Sequence, residues 1–196
     1  MPAPNSPGEM IRAVVDNMKA ETGRSFEDWV RFARKNGPDK HMQILNWLKA
    51  EHGLKRYQAQ FVASEVMKPG ELFQYERPGE LLDQLYSGKK EHLRGAYEAV
   101  KQEALKLEGV EEVVCKTYTS YRNRAQFAIA APKTQKYLDL ELAMPPGTKT
   151  GGRLEAIKSS NEKFTHRIRL ETAKDVDKYV KDALNQAAAD VGRRKQ

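Results

Sequence analysis

The chain has 196 residues, with 34 Lys and Arg against 27 Asp and Glu, a formal charge of +7 and one cysteine. This length suits one medium domain or two small ones. A single cysteine excludes a disulfide scaffold and a cysteine-rich zinc module. No apolar run approaches the roughly 18 residues needed to span a bilayer, and the N-terminus lacks the basic and apolar parts of a signal peptide. We therefore expect a soluble, cytoplasmic protein that does not act in a membrane.

The positive charge is concentrated in one part of the chain. Residues 113–170 contain 11 basic and 4 acidic residues, so their net charge of +7 equals that of the whole chain. Residues 78–112 are acidic, with 5 basic and 8 acidic residues. A functional argument based on charge therefore belongs to 113–170.

The first 67 residues predict four helices with short connections. Ser6 and Ser25 each precede an acidic residue three positions later, which is typical of a capped helix start. Gly23 and Gly53 stand where helices commonly end, and apolar residues recur at helical spacing between these signals. Residues 1–69 are thus predicted to be a helical bundle module.

Two proline-glycine pairs, Pro69-Gly70 and Pro78-Gly79, follow this module. Such pairs mark turns and loops, so we predict a linker at 70–79 and place the domain boundary there. The linker would carry the apolar residues Leu72, Phe73 and Tyr75.

The second half predicts an α+β domain over 80–191 and a frayed basic tail at 192–196. A helical stripe is followed by segments in which apolar residues alternate with polar ones, as in strands with one buried and one wet face. The predicted fold is α+β, a helical bundle followed by an antiparallel sheet of about four strands with flanking helices. The predicted strands are Val113–Tyr121, Gln126–Ala131, Tyr137–Ala143 and Phe164–Leu170.

Short motifs in both halves carry a resemblance to a known arrangement. In the first half they are Gly23-Arg24-Ser25 and Trp47–Gly53, and in the second Leu85–Lys90, Lys116–Tyr118, Gly152–Leu154 and Thr165–Leu170. The chain resembles bacterial two-module proteins of unknown function, in which a small helical domain precedes an α+β domain sometimes labelled a predicted transport protein. The resemblance implies two modules and a bacterial source, and it implies no activity.

Cations and aromatic side chains interleave on the predicted wet face of the sheet. Such a surface suits single-stranded nucleic acid, whose bases stack and whose phosphates pair with cations. The alternative is that Arg167 and Arg169 neutralise Asp139 and Glu141 across neighbouring strands. Even then, we expect the cations in turns to remain unpaired, namely Arg122, Arg124, Lys133 and Lys136.

The glycine-rich loop 147–153 offers a second candidate site. Its glycines permit a nest of backbone N–H groups, and Lys149 and Arg153 could hold a phosphate. It does not match a Walker loop, because its second glycine is followed by Gly-Arg. The alternative is a mobile basic loop between two strands.

His166 lies on the apolar face of its predicted strand. It is either a core histidine satisfied by a neighbour, or the floor of a small-ligand pocket with Lys116 and Tyr118. No acidic or cysteine partner stands at useful spacing, so no catalytic triad is predicted. The histidines are dispersed, so no metal site is predicted either. Cys115 lies in an apolar run typical of a buried hydrophobe.

Residues 42–67 also admit a helix-turn-helix interpretation, in which the second helix would read DNA with Lys55, Arg56, Gln58 and Gln60. Lys49 stands where that motif normally has a small residue, and an ordinary bundle corner explains the pattern as well.

We therefore predict a non-catalytic protein without cofactor, which binds nucleic acid or a phosphorylated small molecule through 113–170. The alternatives are a protein-interaction or homo-oligomeric module, favoured if Leu72, Phe73 and Tyr75 form an exposed patch, and a small-ligand pocket around His166. The candidate binding residues are Lys116, Tyr118, Tyr121, Arg122, Arg124, Lys149, Arg153, His166, Arg167 and Arg169.

Overall fold

The computed structural model describes residues 6–159 and 161–193. The chain divides into two compact units, residues 1–78 and 79–196. The last helix extends through Arg193, and the remainder of the predicted tail, 194–196, lies outside the described residues. Within the described ranges, no helix combines the length and the apolar composition that crossing a bilayer requires.

The first unit is helical, and its helices begin and end at the predicted signals. The Ser6 and Ser25 hydroxyls accept hydrogen bonds from the backbone N–H groups of Glu9 and Asp28, at 3.2 and 3.1 Å. Gly23 ends the first helix in the left-handed region, with φ 78°. The helices are α1 (Pro7–Thr22), α2 (Phe26–Asn36), α3 (His41–His52) and α4 (Arg56–Met67).

The segment 70–79, predicted as a linker, carries a 3-10 helix at Leu72–Glu76. Leu72 is buried, and Phe73 and Tyr75 are partly buried against the core of the first unit. The Phe73 ring meets Phe26 edge to face, with centroids 5.8 Å apart. The segment packs on the helices because removing its apolar side chains from water lowers the free energy of the folded state. It therefore does not form the exposed apolar patch that would favour an interaction module.

The second unit combines helices with one antiparallel sheet of six strands in the order β1-β2-β3-β4-β6-β5. Its α-helices are α5 (Pro78–Leu85, which starts at the boundary), α6 (Arg94–Ala104) and α7 (Lys178–Arg193), with 3-10 helices at Gly88–Leu93 and Ala173–Asp175. The strands are β1 (Glu111–Val114), β2 (Thr119–Arg122), β3 (Gln126–Ala131), β4 (Leu138–Leu142), β5 (Glu155–Ala156) and β6 (His166–Leu170). The α+β class with an antiparallel sheet is confirmed.

The prediction of about four strands was wrong for two reasons. The segment predicted as one strand over 113–121 is a hairpin, in which Val114 pairs with Thr119 and the Cys115 N–H donates to the Tyr118 carbonyl at 2.9 Å. This turn contains neither glycine nor proline, so it has no strong local signal. β5 has two residues, which is too short for an alternation pattern to indicate.

The two faces of the sheet differ sharply in chemistry. Leu140 of β4 stands opposite Ile168 of β6, and this leucine face packs in one core with side chains of α6 and α7. On the other face Glu141 stands opposite Arg167, and Asp139 opposite Arg169. We call this second side the polar face of the sheet.

Candidate functional site

A cleft of about 860 Å³ opens in the second unit, with lining residues from the polar face of the sheet and from the segment between α5 and α6. Pockets that bind small molecules typically measure roughly 300–1,000 Å³. Four lysines line this cleft, and Glu141 is the one carboxylate among its described lining residues. We call it the lysine cleft, and its lysines are Lys89, Lys90, Lys116 and Lys133.

Three different turns bring these lysines together. Lys89 and Lys90 lie in the 3-10 helix Gly88–Leu93, which ends at the fully buried Leu93. Lys116 lies in the β1–β2 turn. Lys133 follows β3 in a turn closed by its own N–H, which donates to the Ala131 carbonyl at 2.9 Å. The lysines therefore come from parts of the chain that no local pattern connects.

The lining between the lysines is mixed. Leu85, Ile129 and Phe164 provide buried apolar surface. Hydrogen-bonding side chains surround it, namely Gln84, Ser87, Thr117, Tyr118, Gln126, Gln135, Ser159 and Asn161. An apolar floor with several polar groups is the usual composition of a ligand site.

Glu141 is a buried carboxylate at this cleft. Its side chain is 2 % exposed. The Lys133 ammonium forms an ion pair with its Oε1, and the Ser159 hydroxyl donates to its Oε2 at 3.3 Å. Burying a carboxylate is costly unless it is paired, and Lys133 provides that pairing.

The arginines of β6 are paired across strands, as the alternative proposed for Asp139, whereas Glu141 pairs with Lys133 rather than with either arginine. Arg167 donates to Asp139 at 3.3 Å and to Glu155 at 2.7 Å, and Arg169 approaches the same two carboxylates at 3.8 and 3.7 Å. The hydrogen bond to Glu155 raises the pKa of Arg167, while burial raises the pKa of Asp139. Arg167 and Arg169 can reach Asp139 because β4 and β6 are neighbours in the sheet.

Two cations that we expected to stay unpaired also have partners. Arg122 donates to Glu111 at 3.1 Å on the neighbouring strand, and Lys133 pairs with Glu141. Lys136 lies over the Tyr137 ring at 4.9 Å. Arg124 is exposed and forms no ion pair with the residues that the structure describes.

The remaining predicted residues are dispersed. In the loop 147–153, Lys149 is exposed, whereas Arg153 donates to Asp177 at 2.6 Å and to the Asp175 carbonyl at 3.0 Å. Arg153 thus ties the loop to the start of α7 rather than leaving its charge available. Of the ten predicted residues, Lys116 and Tyr118 line the lysine cleft.

His166 does not line the cleft. It is 7 % exposed, stands opposite Leu142 on the leucine face, and its Nδ1 is 2.9 Å from the Thr165 hydroxyl. This environment is that of a core histidine, so the predicted pocket has Lys116 and Tyr118 without His166.

Tyr121, predicted to lie on the wet face, is fully buried on the leucine side. It belongs to a group that we call the tyrosine–carboxylate cluster, formed by Tyr86, Tyr97, Tyr121, Glu112 and Lys101. Glu112 accepts hydrogen bonds from the hydroxyls of Tyr97 and Tyr121, at 2.9 and 3.3 Å, and forms an ion pair with Lys101 at 2.8 Å. Burial, followed by the charge of Glu112, raises the pKa of all three tyrosines well above the usual value.

The helix-turn-helix interpretation is not supported by the side chains at its second helix. Gln58 is 4 % exposed and donates to Glu21 at 2.7 Å, and Lys55 forms an ion pair with the same carboxylate at 2.9 Å. Both side chains therefore join α4 to α1 within the first unit.

Burial raises the pKa of the half-buried Cys115 thiol, which disfavours the reactive thiolate. The described residues contain no group of three or more His, Cys, Asp or Glu that could hold a metal ion.

Comparison with known proteins identifies both halves. Residues 11–68 match a domain of unknown function, DUF4287, and residues 82–188 match a second domain of unknown function, DUF5655, over more than half of the chain. The chain belongs to the DUF5655 family. The two matches confirm the two-module arrangement expected from the resemblance. No curated protein and no solved structure matches the chain.

The DUF5655 match includes every residue that lines the lysine cleft. Lys89 and Lys90 were missed as candidates because they lie in the segment 78–112, whose net charge is negative and which therefore gave no indication of a basic site. The usable signal was the Ser87-Gly88 turn followed directly by two lysines. Gln84 and Gln126 had no signal, because an isolated glutamine is common on any surface.

Proposed function

We propose that the DUF5655 domain binds a phosphate-bearing small molecule in the lysine cleft. The observation that carries the proposal is the convergence of four lysines and one glutamate on a single concave surface. Ammonium groups donate hydrogen bonds to phosphate oxygens and neutralise their charge. The ligand is still a phosphate, as the sequence predicts, but the proposed binding site is the cleft and not the surface of the strands.

Single-stranded nucleic acid is the other phosphate-bearing ligand expected from 113–170. It would need a continuous path of available cations along the surface. The pairing of Arg122, Arg167 and Arg169 with carboxylates argues against such a path. The four lysines of the cleft lie around one concave surface and do not form a line along the sheet, which favours a small ligand instead.

The test uses inorganic pyrophosphate and a labelled ten-nucleotide oligothymidine, titrated into the full chain at low and moderate salt. We expect pyrophosphate to bind, and the double variant K89E/K90E to weaken that binding by about tenfold or more, because two attractive charges become repulsive. The matched control is K149E/K174E, which makes the same charge change at two exposed lysines that do not line the cleft.

Two results would overturn the proposal. One is the absence of pyrophosphate binding at low salt. The other is an equal loss of affinity in K89E/K90E and in the control, which would indicate a general effect of net charge. Oligothymidine binding that both double variants weaken alike would favour the nucleic-acid interpretation.

A further inference from the structure

Glu141 is an unusual side chain for a site that is otherwise built to attract anions. A carboxylate placed among phosphate-binding lysines repels phosphate and weakens the binding of a simple anion. Its burial also carries a cost, which an apolar side chain of similar size would avoid. Its presence therefore indicates that the cleft binds a ligand with other functional groups besides its anionic group.

The hydrogen-bonding capacity of Glu141 is incompletely used. An ionised carboxylate offers about four lone-pair positions. Lys133 occupies one at Oε1, and Ser159 occupies one at Oε2. Among the described residues no further hydrogen bond to its side chain is present, so an acceptor remains for a ligand in the cleft.

The other charged groups of the lining are donors. The four lysines can satisfy phosphate oxygens, but they cannot accept a hydrogen bond. A hydroxyl group on the ligand would find in Glu141 a charged acceptor, which makes a stronger bond than a neutral one. Between these two regions, Leu85, Ile129 and Phe164 offer apolar surface suited to a carbon skeleton.

We propose that the ligand of the lysine cleft is a phosphate ester that also carries hydroxyl donors, and that Glu141 selects it by accepting one of those hydroxyls. This inference rests on the proposed function. A ribonucleotide and a sugar phosphate share this chemistry, with the phosphate on the lysines and the sugar hydroxyl on Glu141. Glu141 also forms an ion pair with Lys133, so it partly offsets the attraction of that lysine for phosphate.

The experiment compares AMP with an analogue that lacks its ribose hydroxyl groups, and adds one ligand without the base and one without any sugar. Calorimetric titrations of the full wild-type chain would use AMP, 2′,3′-dideoxy-AMP, ribose 5-phosphate and inorganic pyrophosphate. We expect AMP to bind about tenfold or more tightly than its dideoxy analogue, as a hydrogen bond to a charged acceptor predicts. Ribose 5-phosphate binding as tightly as AMP would identify a sugar phosphate, whereas weaker binding would identify a nucleotide.

The variant E141Q tests the role of the carboxylate. We expect it to reduce the preference for AMP over the dideoxy analogue to less than about threefold, because the neutral amide is a weaker acceptor. We also expect E141Q to bind pyrophosphate more tightly than the wild type, because Lys133 loses its ionic partner. That second measurement shows in addition that the variant is folded.

The possible failures are distinguishable. If wild-type protein does not bind pyrophosphate, the proposed function fails. If it binds pyrophosphate but takes AMP and dideoxy-AMP equally well, the inference about Glu141 fails while the proposed function stands. This comparison needs no variant, so a folding defect in E141Q cannot rescue the inference.

Discussion

Replacing Glu112 by alanine is expected to lower the free energy of unfolding of the α+β domain by about 2–4 kcal/mol, mainly because two buried tyrosine hydroxyls lose their acceptor. The Glu112 side chain is 12 % exposed and binds Tyr97, Tyr121 and Lys101. Its removal leaves two tyrosine hydroxyls in the core without their acceptor, and unsatisfied buried groups are costly. The loss would be large for a domain of marginal stability.

Urea titration followed by far-UV circular dichroism measures this loss. Tryptophan fluorescence separates the two units, because Trp29 and Trp47 are the two tryptophans of the chain and both lie in the first unit. The matched control is E111A, one residue away. Glu111 is 57 % exposed and pairs with Arg122 on the surface, so its removal should cost about 0–1 kcal/mol.

A second variant refines the interpretation. Glu112→Gln keeps an oxygen acceptor for a tyrosine hydroxyl but removes the negative charge that faces Lys101, so we expect an intermediate loss. Equal stability of E112A and E111A would mean that the tyrosine–carboxylate cluster does not support the fold.

Alkaline pH is expected to destabilise the same domain steeply. The pKa of each of Tyr86, Tyr97 and Tyr121 is raised in the folded state, first by burial, whereas an unfolded tyrosine ionises near pH 10. Below that pH the stabilisation is complete, and above it the unfolded state alone loses protons, so stability falls as pH rises. At about pH 11 the loss is about 1.4 kcal/mol per tyrosine, or about 4 kcal/mol for the three.

Tyr86→Phe isolates one part of this effect. The Tyr86 hydroxyl is buried without a hydrogen-bond partner among the described residues, and the ring stacks on Tyr97 with centroids 4.9 Å apart. Removing the hydroxyl should therefore cost nothing at neutral pH. At about pH 11 the variant should be more stable than the wild type by about 1.4 kcal/mol.

Urea midpoints measured between pH 8 and pH 11 test this prediction. Tyr57→Phe, at an exposed ring of the first unit, is the control. A wild-type midpoint that is constant up to pH 11 would contradict the predicted burial of the three hydroxyls. Parallel pH profiles for wild type and Tyr86→Phe would contradict the assignment to Tyr86.

Elements with strong local signals were predictable from the sequence, and those made by contacts between distant residues were not. Ser6 and Ser25 cap helices as expected, since a cap joins residues three positions apart. The alternation of leucines with Asp139 and Glu141 correctly separated the two faces of β4. The β1–β2 hairpin was missed because its turn depends on pairing with the sheet and not on glycine or proline.

The candidate site shows the same division. Lys116 and Tyr118 were among the predicted residues, and they line the lysine cleft. Arg167 and Arg169 were predicted either to bind a ligand or to pair with carboxylates of a neighbouring strand. They pair with Asp139, because β4 and β6 are neighbours in the sheet, and the order of strands is not a local property of the sequence. Lys89 and Lys90 could not be assigned to this site by charge arithmetic, since the acidic residues around them balance their charge in the sequence but do not line the cleft.

By itself, the sequence determined that this protein is a two-module α+β chain with a basic stretch at 113–170, because helix caps, alternation and composition are local properties. The tertiary structure alone decided which of its cations pair with carboxylates and which of them line one cleft. Pairing depends on distances of a few ångströms between residues far apart in the chain, and the charge interaction falls with that distance and with exposure to water. The fold thus places Lys116 and Lys133 of the basic stretch beside Lys89 and Lys90 of the acidic one, in one cleft with a buried glutamate.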